Sequence, residues 1–130
     1  MDFKYGVLKY GVKISDDSLI KYYHGLIKDF FKILPIFEGR DVKTKSVIYS
    51  QEESYNQYKK YIHNFTIEIC GAYHIFHEEL YFLKLLNILE GMSNSKINDH
   101  AHLKSLVFHC IDITKKMIAE LEKNGDYNVL

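Results

Sequence analysis

The chain has 130 residues, of which 47% are hydrophobic and 26% are charged, and these values are ordinary for a globular protein with its own core. Its 17 basic and 17 acidic side chains give a net charge of zero. That balance argues against nucleic acid as a partner, because phosphate binding depends on surplus cations. Neither an apolar stretch long enough to cross a membrane nor a secretory signal is visible. We therefore expect one cytoplasmic domain over residues 1–130.

Apolar residues alternate over residues 1–14 with one change of phase, beside a near-repeat of KYGV at 4–7 and 9–12. Alternation with a single slip is typical of a bulged strand or a tight hairpin. A second run, residues 42–49, predicts a short strand that could pair with the first. Together these runs predict a small N-terminal β hairpin or antiparallel sheet.

Helical apolar spacing covers most of the remaining chain. The polar acceptors from Ser15 onward predict a first helix over 16–34, which Pro35 ends because proline lacks an amide N–H. A stripe over 52–90 is interrupted near Gly71, which favours two helices, 52–70 and 77–90, while a single long helix stays open. A final helix is predicted over 99–123, closed by Asn124 and Gly125.

These elements predict an α+β fold that is mainly α, with the β element followed by about four packed helices. The segment 77–90 is apolar on most sides, which predicts a central place in the core. Continuing the stripe of the preceding helix puts Leu80, Leu83 and Leu86 on its inner face.

Residues 61–80 hold three histidines, three glutamates and Cys70. On a continuous helix Cys70, His74, His77 and Glu78 can share one face, because the other three each lie three or four residues from His74. Imidazole, thiolate and carboxylate groups bind zinc or another divalent metal, so this cluster predicts a metal-dependent hydrolase as an alternative function. The HEXXH spacing and any CXXC pair are absent, however. We favour a structural interpretation without a cofactor, in which the histidines flank a helix junction and the cysteines fill the core.

A different group of side chains predicts a partner-binding surface. Arg40 is the only arginine, and the tyrosines are concentrated near lysines in the first half of the chain. Tyr and Arg are enriched in protein interfaces, where a rigid ring or a planar cation makes many contacts. The predicted surface consists of Arg40, Tyr49, Lys59, Lys60 and Tyr61. Genome-driven tyrosine usage would explain the same concentration, and the sequence leaves both explanations open.

No complete catalytic or phosphate-binding motif is present: a Walker loop and a GXGXXG sequence are both missing. The sequence therefore favours a non-enzymatic protein that binds another protein. An inhibitor, immunity or anti-defence factor of a bacterial mobile element or phage would fit this description. A nucleic-acid accessory protein using the more basic first half is a further alternative, and a homodimer stays open because many large apolar residues need covering.

Overall fold

The structure, a computed structural model, describes residues 15–76, 79–94 and 100–129. Four α-helices make up most of these ranges: α1 is Asp16–Phe37, α2 is Gln51–Ile75, α3 is Glu79–Asn94 and α4 is His100–Val129. The described residues contain no strand or sheet, only an isolated antiparallel bridge between Arg40 and Val47. The mainly helical character is confirmed, but the predicted α+β class is wrong for these residues. The β element predicted over 1–14 lies outside them.

The four helices form an antiparallel bundle. Each helix packs on two neighbours, and the α1–α4 and α2–α3 interfaces are the most extensive. Phe37 near the end of α1 packs on Tyr58 near the start of α2, whereas Tyr22 near the start of α1 donates a hydrogen bond to Glu68. Such reversed pairing shows that α1 and α2 are antiparallel. The four helices form a ring around the core, and α3 is one member of that ring. The predicted central place of α3 is therefore wrong.

One hydrophobic core runs through the bundle, to which all four helices contribute. Its bulkiest fully buried side chains are Tyr23, Phe30, Tyr58 and Phe82, and the ring of Phe30 stacks on Phe65 with a centroid distance of 4.6 Å. Among the described residues, no helix is long and apolar enough to span a membrane.

The end of α1 differs from the prediction, because Pro35 lies within the helix. Helix α1 ends at Phe37, and Gly39, two residues later, adopts a left-handed conformation with φ of 71°. The amide of Gly39 donates to the carbonyl of Ile36 at 3.1 Å, and the amide of Arg40 donates to Pro35 at 2.8 Å. This is the Schellman pattern of a glycine-terminated helix. Gly39, rather than Pro35, therefore ends α1.

The α2–α3 junction also differs from the prediction. Helix α2 continues through Gly71 to Ile75, and Phe76 has extended backbone with φ of −86° and ψ of 161°. The buried side chains of α3 are Phe82, Leu85, Leu89 and Met92. Leu80 and Leu83, which were predicted to face inward, are 64% and 43% exposed. The stripe of α2 does not continue into α3, because the extended residue between the helices resets the register.

Helix α4 keeps the inner face that the sequence predicts, with Leu103, Val107, Cys110 and Met117 buried. Its end is different, because the helix passes through Asn124 and Gly125 to Val129.

The connector between α1 and α2, residues 38–50, is a compact turn and not the predicted strand over 42–49. The Asp41 carboxylate accepts hydrogen bonds from the amides of Lys43 at 3.0 Å and Thr44 at 2.7 Å. Lys45 then takes a left-handed conformation with φ of 63°. An aspartate side chain that accepts amides two and three residues later makes the chain reverse its direction. The β pairing in the connector is therefore limited to the single bridge between Arg40 and Val47.

Gly39→Ala tests the end of α1. A Cβ at Gly39 would lie 2.0 Å from Ser54 Oγ and 3.1 Å from the Tyr49 carbonyl oxygen. The left-handed backbone alone costs a residue with a side chain about 1–2 kcal/mol, so the free energy of unfolding should fall by at least that amount. The matched control is Gly71→Ala inside α2, where no atom lies within 4 Å of the new Cβ. Alanine there should raise stability by up to about 1 kcal/mol.

Urea unfolding of both variants gives the two free energies directly. Equal effects of the two substitutions, or a stable Gly39→Ala variant, would contradict the Schellman ending of α1.

Candidate partner-binding groove

A groove of about 740 Å³ lies where the connector meets α1 and α2. Its volume is within the range of about 300–1,000 Å³ that is common for ligand clefts. The lining comes from one end of α1, from the connector and from one flank of α2; the residues are Lys32, Ile36, Arg40, Asp41, Val42, Lys43, Ile48, Tyr49, Gln57, Lys60, Tyr61 and Asn64.

Helical spacing explains why these side chains meet. Gln57, Lys60, Tyr61 and Asn64 are separated by three, one and three residues, which puts them on one flank of α2. Their neighbours Tyr58 and Phe65 lie in the core, so this flank is held toward α1. The groove wall on α2 is thus fixed by the same packing that holds the bundle together.

The Tyr61 side chain joins the groove to the core. Its hydroxyl donates to the backbone carbonyl of Asp29 on α1 at 2.8 Å, and its ring meets Phe65 edge-on. Burial of the hydroxyl, with smaller contributions from the carboxylates of Asp29 and Glu68, raises the pKa of Tyr61. The hydroxyl therefore stays protonated and holds the two helices at a fixed separation beneath the groove.

The lining carries four cations and one carboxylate. Lys32 is 3.1 Å from the Asp29 carboxylate, and the Arg40 Nε atom is 3.6 Å from Glu38. Lys43 and Lys60 make no salt bridge within the described ranges. These two lysines are accordingly the cations best placed to meet an anion from outside.

The single carboxylate of the lining, on Asp41, is engaged by the connector itself. The backbone amide of Thr44 is the first cause that lowers the pKa of Asp41, with the Lys43 amide and ammonium adding to it. Hydrogen bonds from amides favour the ionised form, so this carboxylate stays charged and offsets one of the four cations of the lining. The groove therefore has a net positive character, although the whole chain is neutral.

Beside the cations, the connector exposes three consecutive apolar side chains. Val47, Ile48 and Tyr49 are 65%, 52% and 40% exposed. Their backbone is held in place, because the amides of Ile48 and Tyr49 both donate to the carbonyl of Gly39, at 2.8 and 3.2 Å. Large apolar side chains held at the surface by a fixed backbone are typical of an interaction surface, since binding then orders little additional chain.

Four of the five residues in the predicted partner-binding surface line this groove: Arg40, Tyr49, Lys60 and Tyr61. Lys59 does not, because its ammonium lies 5.0 Å from the centroid of the Tyr55 ring, outside the groove lining. Their role in binding stays a prediction. Arg40 also has a structural contact, since its guanidinium donates to the carbonyl of Lys45 at 3.0 Å.

Sequence reasoning missed the α1 side of the groove and much of the connector. Lys32 and Ile36 are four residues apart on α1, and with the 57, 60, 61 and 64 spacing on α2 they define the two walls. The spacing on each helix was visible in the sequence. Which flanks meet was not, because that depends on the antiparallel pairing of α1 and α2.

The alternative metal site is not assembled by the described residues, which contain no group of three or more metal-binding side chains close enough to hold an ion. Cys70 and His74 are both exposed on α2. Since α2 ends at Ile75, the helical spacing that was to align His74 with His77 and Glu78 does not continue from His74. His77 and Glu78 lie outside the described residues, so their part of the hypothesis stays a prediction.

The two cysteines have opposite environments, and only Cys110 fills the core as predicted. They lie on α2 and α4, which are not adjacent helices in the described part of the bundle. Burial raises the pKa of the Cys110 thiol to about 12.

Comparisons with models of known families, with characterised proteins and with solved structures find no match to this chain.

Thiol reactivity tests the placement of the cysteines. In the native protein, Cys70 should react quickly with Ellman's reagent, because its side chain is exposed. Cys110 should react only after unfolding, because its thiol is buried and protonated. Cys70→Ser, the control, should abolish the fast reaction. Fast labelling of both thiols in the folded protein would contradict the bundle.

Acid titration tests the turn at Asp41. An aspartate in a flexible peptide has a pKa of about 3.9, and the Asp41 carboxylate should titrate below that value. Its support of the connector is therefore present at neutral pH and is lost as the pH falls through the lowered pKa. The amide chemical shifts of Lys43 and Thr44, followed by NMR, report the midpoint. A midpoint at or above about 3.9 would contradict the two amide bonds.

Proposed function

We propose that this chain is a protein-binding module and that the groove with its exposed connector is the contact surface. The observation that carries the proposal is the fixed backbone of residues 38–50, which holds Val47, Ile48 and Tyr49 at the surface beside the cationic lining. A small-molecule site would enclose its apolar residues, whereas Val47 is 65% exposed and lies beyond the groove lining. The contact surface is therefore broader than the groove.

Several bonds keep the connector ready to bind. The amide of Asp41 donates to Ser46 at 2.8 Å, the amide of Lys45 donates to Asp41 at 2.9 Å, and Arg40 braces the Lys45 carbonyl. A segment ordered before binding loses less conformational entropy when a partner arrives. Rigid side chains then contribute most of the binding free energy, and tyrosine is favoured at such interface positions.

The narrower hypothesis, an inhibitor or immunity protein of a bacterial mobile element or phage, remains a prediction. A groove-binding module could act this way by covering a segment that its partner needs, and the comparisons identify no relative that would narrow the choice.

Selection from a random-peptide library displayed on phage, with the full chain as target, tests the proposal. Clones that bind are measured on two double variants that remove the same residue types at similar exposure. Ile48→Ala with Tyr49→Ala removes side chains that are 52% and 40% exposed, whereas the control, Ile67→Ala with Tyr55→Ala, removes side chains that are 57% and 37% exposed.

Affinity should fall about tenfold or more on the connector variant, because apolar anchors account for most interface energy, and it should be unchanged on the control. The proposal would be overturned if no clone bound the chain, or if both double variants weakened binding equally.

A further inference from the structure

The charges around the groove indicate what kind of protein segment it would take. Lys43 and Lys60 approach the groove from different elements, the connector and α2, and neither has a salt-bridge partner in the described part of the chain. Lys32 and Arg40 add partly compensated positive charge from α1 and the connector. A groove with cations on more than one side favours an anionic occupant, whose carboxylates can reach several of them at once.

The lining is not only cationic. Ile36, Val42 and Ile48 line the groove together with the charged groups, and Val47, next to Ile48 in the chain, is exposed. An anion without apolar groups would make no apolar contact with Ile48. The complementary ligand has apolar side chains as well as negative ones.

The aromatic residues favour a peptide over a single-stranded nucleic acid. Proteins that bind single strands stack successive bases on exposed rings. Tyr49 is one exposed ring in the lining, but Tyr61 is half-buried, with its hydroxyl bonded to Asp29 and its ring against Phe65. One available ring beside an aliphatic wall suits a leucine or phenylalanine side chain better than a run of bases.

We infer that the groove binds a short acidic segment of a partner protein, with carboxylates at Lys43 and Lys60 and an apolar side chain against Ile48 and Tyr49. This inference rests on the proposed function, and it adds the chemistry of the occupant. Charge-assisted contacts between lysine and carboxylate fix the position of the segment, and burial of its apolar side chain supplies affinity.

Fluorescence anisotropy on the full chain tests the inference with four labelled probes. Three are short peptides with leucine and phenylalanine at the same positions and glutamate, glutamine or lysine at all others, and the fourth is a single-stranded oligothymidylate. Each probe is measured at about 0.01 M and about 1 M salt, where the Debye length is about 30 Å and about 3 Å. The glutamate peptide should bind most tightly, and its affinity should fall at high salt.

Two charge-matched double variants locate the binding. Lys43→Glu with Lys60→Glu reverses the two groove cations, and Lys21→Glu with Lys115→Glu reverses two exposed lysines outside it. All four positions are exposed, and circular dichroism verifies that both variants keep their helices. The groove variant should lose about tenfold or more in affinity for the glutamate peptide, and the control should lose little.

Equal binding of the glutamine or lysine peptide would overturn the acidic occupant, and the proposed function would still stand if clones from the peptide library depended on Ile48 and Tyr49. Oligothymidylate binding that the groove variant removes, without binding of the glutamate peptide, would identify a nucleic-acid surface and overturn the inference. A failure of the glutamate peptide to bind the unmodified chain would overturn it as well.

Discussion

The contact between Gly39 and the first turn of α2 is the constraint on which the groove depends. Gly39 ends α1 in a left-handed conformation, and a Cβ at this position would overlap the Oγ atom of Ser54. Its carbonyl accepts the amides of Ile48 and Tyr49, so the same residue closes the connector. A glycine thus sets where α1 ends, how near α2 begins and which connector side chains face outward.

The core and the connector place different requirements on the residues at this end of the bundle. The core requires Tyr58 and Phe65 to face inward on α2, which leaves Lys60 and Asn64 on the flank toward α1. Within the connector, the Asp41 carboxylate accepts the backbone amides of Lys43 and Thr44. A neutral chain thereby acquires a local positive groove with an apolar edge, and that combination is the basis of the proposed binding of an acidic segment.

Local pattern was enough to predict the helical character and the buried face of α4, because a periodic apolar stripe has only one way to face the core. It failed for α3, where apolar residues lie on most sides and Leu80 and Leu83 end in solvent. It failed again over 42–49, because the side chain of Asp41 bends a segment whose composition suits a strand. Four groove residues were predicted from composition. That they line one groove could not be predicted, because it depends on the pairing of α1 with α2, and a local sequence pattern carries no information about that pairing.

Amide hydrogen exchange of the connector, measured by NMR on the free chain, tests the preformed groove most directly. We predict that the amides of Ile48 and Tyr49 exchange more slowly than unstructured amides, because both donate to the Gly39 carbonyl. Exchange of both at the rate of an unfolded chain, while the core amides of α1 and α2 stay protected, would contradict it. The connector would then be ordered only on binding, and the groove would not exist before its partner arrived.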